Sequence, residues 1–339
     1  MSKVLTIAVP AYNVEAFLAH GLSTCDVPEL TDELEVIVVN DGSTDSTPAI
    51  AHSFAERAPE VFHVIDKPNG GHGSAVNAAL SQATGTYFRV MDGDDWVDPS
   101  GLRELVGRLG DTDVDLVVDE KREVHMGTGD TRLFPLPDSV RPGVAYAFDD
   151  VCQDPDVAAF LMIHTLVPRT QMLRECGLSL LEHTFYEDYQ YVVEATAPAR
   201  SIEFLDVEVY QYQVGNASQS VAATSYVRRW DDHTRVVEEV LSFVERLCGE
   251  RPLSPARAAY LDRKANLIID THYNIALLFD TDRARGARRA KEFRAFLARS
   301  YPARKAATDG RYRSACVLHA LGVDAKGLDR LMGRKSREA

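Results

Sequence analysis

Three carboxylates follow one another closely in Val90-Met91-Asp92-Gly93-Asp94-Asp95-Trp96, directly after an apolar run. Tyr87 to Met91 reads as a short buried strand that follows the turn signal Thr84-Gly85. In an open α/β sheet, ligands bind beyond the carboxyl ends of the strands, where these acids would stand. Clustered carboxylates repel one another, so the placement is costly unless a cation neutralises them. Mg²⁺ and Mn²⁺ are hard ions that take such oxygen ligands, usually together with substrate phosphates. The chemistry to expect is a divalent cation gripping a diphosphate. A solvated strand-to-turn corner is the plainer alternative for a motif this short. A calcium loop of the EF-hand type fails, because its fifth and twelfth positions would be Trp96 and Arg103.

Four further segments carry comparable chemistry: Val9-Pro10-Ala11-Tyr12-Asn13, Val39-Asn40-Asp41-Gly42-Ser43-Thr44-Asp45, Asn69-Gly70-Gly71-His72-Gly73-Ser74-Ala75-Val76-Asn77, and Tyr186-Glu187-Asp188. The glycine-rich segment leads into a helix start, where free N–H groups favour anions. A dinucleotide fingerprint would need Gly or Ala at Val76, so that reading fails.

The elements that must position these segments alternate through the first hundred residues. Strands are expected at Val4 to Val9 (stopped by Pro10), Glu35 to Val39, Val61 to Ile65 and Tyr87 to Met91. Helices are expected at Glu15 to Leu22, Thr47 to Arg57 and Ser74 to Gln82, with Pro48 suiting a first turn. This order implies a mostly parallel sheet in a three-layer α/β/α sandwich. Three of the segments then end parallel strands and converge on one rim. Leu102 to Leu109 reads as a helix and Val114 to Val118 as another buried strand, while residues 125–150 look like a long irregular excursion. Two runs, Ser201 to Leu205 and Val207 to Gln213, complete the sheet. Beyond these the pattern turns helical at Arg228 to Cys248, Pro255 to Phe279 and Ala284 to Tyr301. The expected division is a domain over 1–220 and a helical extension with a basic tail over 221–339.

The chain has 339 residues, of which 45% are hydrophobic and 26% charged, as expected for a soluble globular protein. No run of about 18 or more apolar residues offers a membrane span. The start MSKVLTIAVPAYN is unlike a signal peptide. Five scattered cysteines without a CxxC argue for reduced thiols, no zinc site and a cytoplasmic location. The net charge of −14 argues against nucleic acid as a partner. From Arg283 onward, however, 16 Lys and Arg face 5 Asp and Glu. Arg288, Arg289, Lys291, Arg294 and Arg299 surround Phe293, Phe296 and Leu297 at helical spacing. That helix could face anionic lipid at the inner membrane, or pack its apolar stripe on the body, the better of the two readings.

Taken together, VPAYN, VNDGSTDST, NGGHGSAVN and MDGDD resemble in order the opening pattern of the family 2 glycosyltransferases, inverting enzymes with a GT-A fold. The resemblance is strong over residues 3–100, looser over 101–215, and does not reach the helical third. It implies sugar transfer from a nucleotide-diphosphate sugar, with a UDP-sugar as the expected donor and Mn²⁺ or Mg²⁺ as cofactor. The acceptor would be a glycan or lipid-linked sugar in bacterial surface polysaccharide synthesis. By matching position, Tyr12 would lie against the base with Pro10 shaping the turn. Asp41 would bond the base, and Asn69, Gly70 and Asp92 would line the donor. Asn77 would face the nucleotide or bridge two loops. Asp94, with Asp92, would hold the metal, and Asp95 would hold the loop through backbone N–H groups. Asp188 would be the catalytic base, with Glu187 its rival. Asn40 stands where the family often has a second Asp.

The stretch Tyr212 to Ser220 falls where relatives carry a loop over the diphosphate. Arg228-Arg229-Trp230 lacks the Gln of the processive synthases' Gln-x-x-Arg-Trp, so single addition is expected. The competing readings are a binding module of the same fold without turnover and, more weakly, a sugar-phosphate nucleotidyltransferase. The latter would need a Gly-rich loop and a basic residue after the first strand, which VPAYN does not offer.

Overall fold

The computed structural model describes residues 3–215, 222–250 and 252–331. The chain forms two compact units, Met1–Asn216 and Ala217–Ala339. Residues 216–220 of the stretch expected over the diphosphate lie outside the described residues.

In the first unit, β1 (Leu5–Ala11), β2 (Leu34–Asn40), β3 (Phe62–Asp66) and β4 (Tyr87–Val90) make a parallel sheet in the order β3-β2-β1-β4. The crossovers are α1 (Leu18–Cys25), α2 (Thr47–Arg57) and α3 (His72–Gln82). Every residue of β1 and β2 is buried, as expected of strands covered on both faces. Pro10 does not stop β1: the strand runs on to Ala11 in register with β2. Pairing of β1 with β4 ends at Ala8, so Pro10 sits where the strand is locally an edge and its missing N–H is tolerated.

A second sheet follows β5 (Trp96–Val97) and α4 (Pro99–Asp111). It holds β6 (Leu116–His125), β7 (Thr131–Phe134), β8 (Ala145–Ala147), β9 (Leu166–Pro168) and β10 (Ser201–Val214). The long pair β6–β10 is parallel, whereas β5, β7, β8 and β9 join as short antiparallel partners. The sandwich is therefore parallel in its long pairings and mixed at this end. The excursion over 125–150 contributes β7 and β8 instead of remaining irregular throughout. The two runs expected near the end are one strand, β10, with its register shifting between Phe204 and Tyr210. A bridge from Tyr87 to Arg169 links the two sheets.

The second unit is helical over its described residues. Its main helices are Trp230–Glu250, Pro255–Asn274 running into a wider turn Ile275–Phe279, Arg283–Ser300 and Pro302–Ala320. In Arg283–Ser300, Ala290, Phe293 and Leu297 are buried. Phe293 packs against His272 and Tyr273, and Phe296 against Tyr301. Arg285 and Arg289 pair with Asp280, and Arg294 with Asp309. The apolar stripe of the basic helix is thus spent on this unit's own core. A lipid-facing helix would need that stripe exposed. Among the described residues, no helix is long and apolar enough to cross a membrane.

Candidate active site

The carboxyl ends of β1, β2 and β4 bring the expected segments to one rim. After β1, Pro10 is buried while Tyr12 stands 51% exposed. Asn13 next to it has φ of +52°, a left-handed conformation uncommon outside glycine, and its Oδ1 accepts from the Thr44 N–H. After β2, the buried Asp41 takes Lys67 Nζ (2.6 Å) and the Gly70 N–H (2.9 Å) on Oδ1, and the Gly71 N–H (2.7 Å) on Oδ2. Asn69 Nδ2 donates to the Asp41 carbonyl. The structure gives Asp41 and Asn69 the task of fixing the glycine-rich loop, and leaves the Asp41 carboxylate closed to solvent. Gly70 is packed so tightly that a Cβ there would run into Ser74.

Asn77 takes the second of its two expected positions. Its Nδ2 donates to the Leu180 carbonyl (2.9 Å) and its Oδ1 accepts the Leu180 N–H (2.8 Å). With both ends of the amide used on one backbone position, Asn77 bridges two loops.

The three aspartates after β4 differ in their surroundings. Asp95 is buried, its Oδ2 taking the Tyr210 hydroxyl (2.7 Å) and its Oδ1 the Gln213 N–H (2.7 Å), so it does hold the loop. Burial and the charges of Asp92 and Asp94 push its carboxyl well above the usual range, against those two bonds. Burial would also raise Asp92, but the bond and charge of His72 outweigh it and hold the carboxyl below its usual value. Asp94 receives, among the described residues, a hydrogen bond only from its own backbone N–H. Burial and the neighbouring Asp92 raise it to about 6.

Two histidines complete the acidic group. His164 Nε2 lies 3.9 Å from Asp92 Oδ2, and its buried Nδ1 has no hydrogen-bond partner among the described residues. Burial, aided by the nearby Lys121 charge, lowers His164 to about 3, leaving a neutral imidazole of the kind that ligates metal ions. Ligand-type atoms of Asp92, Asp95 and His164 all lie within 4.8 Å of one another, and among the described residues this is the group able to hold a cation. Asp94 is beside the group in sequence but not part of it. Below the group, Arg89 and Asp119 are fully buried in a two-pronged pair (2.5 and 2.8 Å), and Arg89 also donates to the His164 carbonyl. A buried pair of this kind depends on good geometry and extra hydrogen bonds; the fork and the His164 carbonyl supply these, while Arg89 Nε is without a partner among the described residues.

His72 joins the aspartates to the acid pair downstream. Its Nε2 is 3.0 Å from Asp92 Oδ1 and its Nδ1 2.7 Å from Glu187 Oε1. Burial works against its charge, but the two carboxylates prevail and raise it well above its usual value, so both nitrogens donate. Glu187 is buried, whereas Asp188 is exposed at the start of the helix Asp188–Thr196. Surrounding protein and then the Glu187 charge raise the Asp188 carboxyl to about 6. Tyr186, immediately before the two acids, has φ of +74°, a left-handed conformation uncommon outside glycine.

His164, Tyr210 and Lys121 were invisible as site residues in the sequence, lying in strands and connections without a motif. His72 is visible in the sequence as the one titratable side chain of the glycine-rich segment, offering a phosphate contact or plain exposure; its bonds to Asp92 and Glu187 are not.

Comparison with known proteins agrees with this geometry. Residues 6–158 match the family Glycosyl transferase family 2. EpsH of Bacillus subtilis is 26% identical over 218 residues, 63% of this chain and 61% of that protein. The poly(ribitol-phosphate) beta-N-acetylglucosaminyltransferase TarS of Staphylococcus aureus is 26% identical over 215 residues, covering 61% of this chain and 35% of TarS. The chain thus spans less than two thirds of the length of these relatives. The crystal structure of TarS 1–349 in complex with UDP-GlcNAc superposes with a TM-score of 0.68 at 21% identity, over 98% of this chain and 93% of that one. A mannosyltransferase from Pyrobaculum calidifontis, in complex with GDP-Man and Mn²⁺, shares the fold at a TM-score of 0.52 and 19% identity, over 94% and 88%. Residues 6–158 thus carry a match to glycosyl transferase family 2, and the unit that contains them has the GT-A fold.

Proposed function

We propose that the amino-terminal unit transfers a sugar, with inversion, from a UDP-sugar to an acceptor hydroxyl in the synthesis of a bacterial surface glycan. A hexose or N-acetylhexosamine is the group moved, and a glycan or lipid-linked sugar the acceptor. The observation that carries this reading is the joining of Asp92 to Glu187 through His72, which sets the exposed Asp188 beside the acid-lined strand ends. A binding protein needs no such neighbour to its ligand.

In this reading Tyr12 offers its exposed ring to the uracil, and the loop held by Asp41 presents backbone N–H groups near the diphosphate. Asp92, Asp95 and His164, with Asp94 alongside, are the residues to hold Mn²⁺ or Mg²⁺. The neutral His164 imidazole, its Nε2 facing Asp92, and the raised Asp94 carboxyl fit a site built for a cation. When bound, the ion supplies positive charge to the departing diphosphate. Asp188 takes the proton of the acceptor hydroxyl as it attacks the anomeric carbon from the face opposite the leaving group. We place the reaction in the cytoplasm, in keeping with five free cysteines.

Calorimetric titration of UDP and GDP, with and without Mn²⁺, tests the donor pocket. Metal-dependent binding of UDP over GDP is expected, and binding of neither would overturn the reading. Slow hydrolysis of a bound UDP-sugar then separates an enzyme from a binding module, which would leave the donor intact.

A further inference from the structure

We propose that His72 is a positioning residue that couples the cation-binding acids to the acid pair bearing the catalytic base. The inference rests on the function proposed above and concerns how its two halves are held in register. The two oxygens of Asp92 have separate tasks: Oδ1 is taken by His72, and Oδ2 faces His164. The other nitrogen of His72 takes Glu187, 115 residues away, whose carboxylate is buried immediately before Asp188.

The ring itself has little freedom. His72 is the first residue of α3 and follows Gly71, whose φ of +88° and N–H bond to Asp41 set the chain direction. Gly73 after it lies against the Leu181 carbonyl, where a Cβ would collide. The His183 N–H donates to the Gly70 carbonyl (2.5 Å), tying the same loop to the segment that leads into Tyr186 and Glu187. A group that bonds a metal-binding carboxylate from behind fixes which oxygen is offered to the ion. Here that group also fixes Glu187, and through it the start of the helix that presents Asp188.

The test compares His72→Ala and His72→Gln with the unaltered full chain. Mn²⁺ binding is read from the electron paramagnetic resonance of the free ion in the presence of UDP, and kcat and acceptor KM are measured separately. His72→Ala is expected to weaken Mn²⁺ binding about 10- to 100-fold. It should also lower kcat while leaving the acceptor KM near its original value. His72→Gln keeps the volume and an N–H donor, and should recover part of the Mn²⁺ affinity; if the alanine variant fails to fold, the glutamine variant decides alone. Mn²⁺ affinity and kcat within twofold of the unaltered chain in folded His72→Ala, or in His72→Gln where the alanine variant does not fold, would overturn the proposal. If the unaltered chain itself bound no Mn²⁺ with UDP, the metal-dependent donor reading would fall and take this inference with it. If it bound Mn²⁺ and the variants did equally, only the part assigned to His72 would fall.

Discussion

Glu187 and Asp188 are adjacent in sequence but face opposite surroundings. The first is buried and tied to His72, while the second is open to solvent at a helix start. A base has to reach its acceptor, so in the proposed function Asp188 is the residue to act and Glu187 the one to set its electrostatics. Asp188→Asn should preserve UDP binding by calorimetry and lower kcat by roughly 10²–10⁴, the usual contribution of a positioned base. Full activity in that variant would transfer the task to another residue. The pH dependence follows from the raised carboxyl. Transfer needs Asp188 ionised, so kcat/KM should fall about tenfold per unit as pH drops below about 6. Desolvation by the surrounding protein is the larger cause of that shift and the Glu187 charge the next. Glu187→Gln should therefore move the acidic limb to lower pH, and an unmoved limb would assign the whole shift to the surrounding protein. The motif YED could be read in the sequence, but the different situations of its two acids could not. They depend on His72, which comes from the other end of the unit.

Strand β10 shows why part of the site escapes a sequence reading. Its Tyr210 hydroxyl accepts the Asp92 N–H (3.0 Å) and donates to Asp95 Oδ2 (2.7 Å), linking residues more than a hundred positions apart. Nothing near Tyr210 in sequence marks it, because an alternating strand uses tyrosine equally well as a packing residue. The motif-bearing strands β1, β2 and β4 were easier to find, since each is an apolar run closed by a polar turn. The short antiparallel strands β7 and β8 were hidden in a Gly- and Pro-rich segment, for β7 is the return of a hairpin from β6 and β8 is an edge piece held by long-range pairing with β10. Pro10 misled in the other direction, because its effect depends on where β4 stops pairing. Tyr210→Phe tests the link directly. It leaves the Asp92 N–H and one Asp95 oxygen without this partner in a buried place, which should cost about 1–3 kcal/mol. Urea unfolding should show a lower midpoint with the same slope. An unchanged midpoint would mean that water replaces the hydroxyl.

Each unit of the chain carries one of its two tryptophans, Trp96 in the first and Trp230 in the second. Trp96 follows the three aspartates, whereas Trp230 stacks on His272 in the helical unit. The alternation of strands and helices made the first unit readable. The second showed only helical periodicity, and the destination of its basic helix turned on whether Phe293 and Leu297 found a core. They did, and the proposed function places the donor site in the first unit. A ligand stabilises the state that binds it, by about 2.7 kcal/mol at a hundredfold excess over Kd. For a unit of this size that corresponds to a rise of roughly 5–10 °C in Tm. In a Trp230→Phe variant, the fluorescence of Trp96 reports the first unit during heating. UDP with Mn²⁺ should raise its midpoint by that amount, and UDP alone should raise it less. Trp230, followed in a Trp96→Phe variant, distinguishes two behaviours of the chain. A matching shift would show that the units unfold as one cooperative body, and an unmoved midpoint that the helical unit melts independently of the donor site. A shift seen only by Trp230 would place the nucleotide on the helical unit and overturn the assignment of the site to the strand ends.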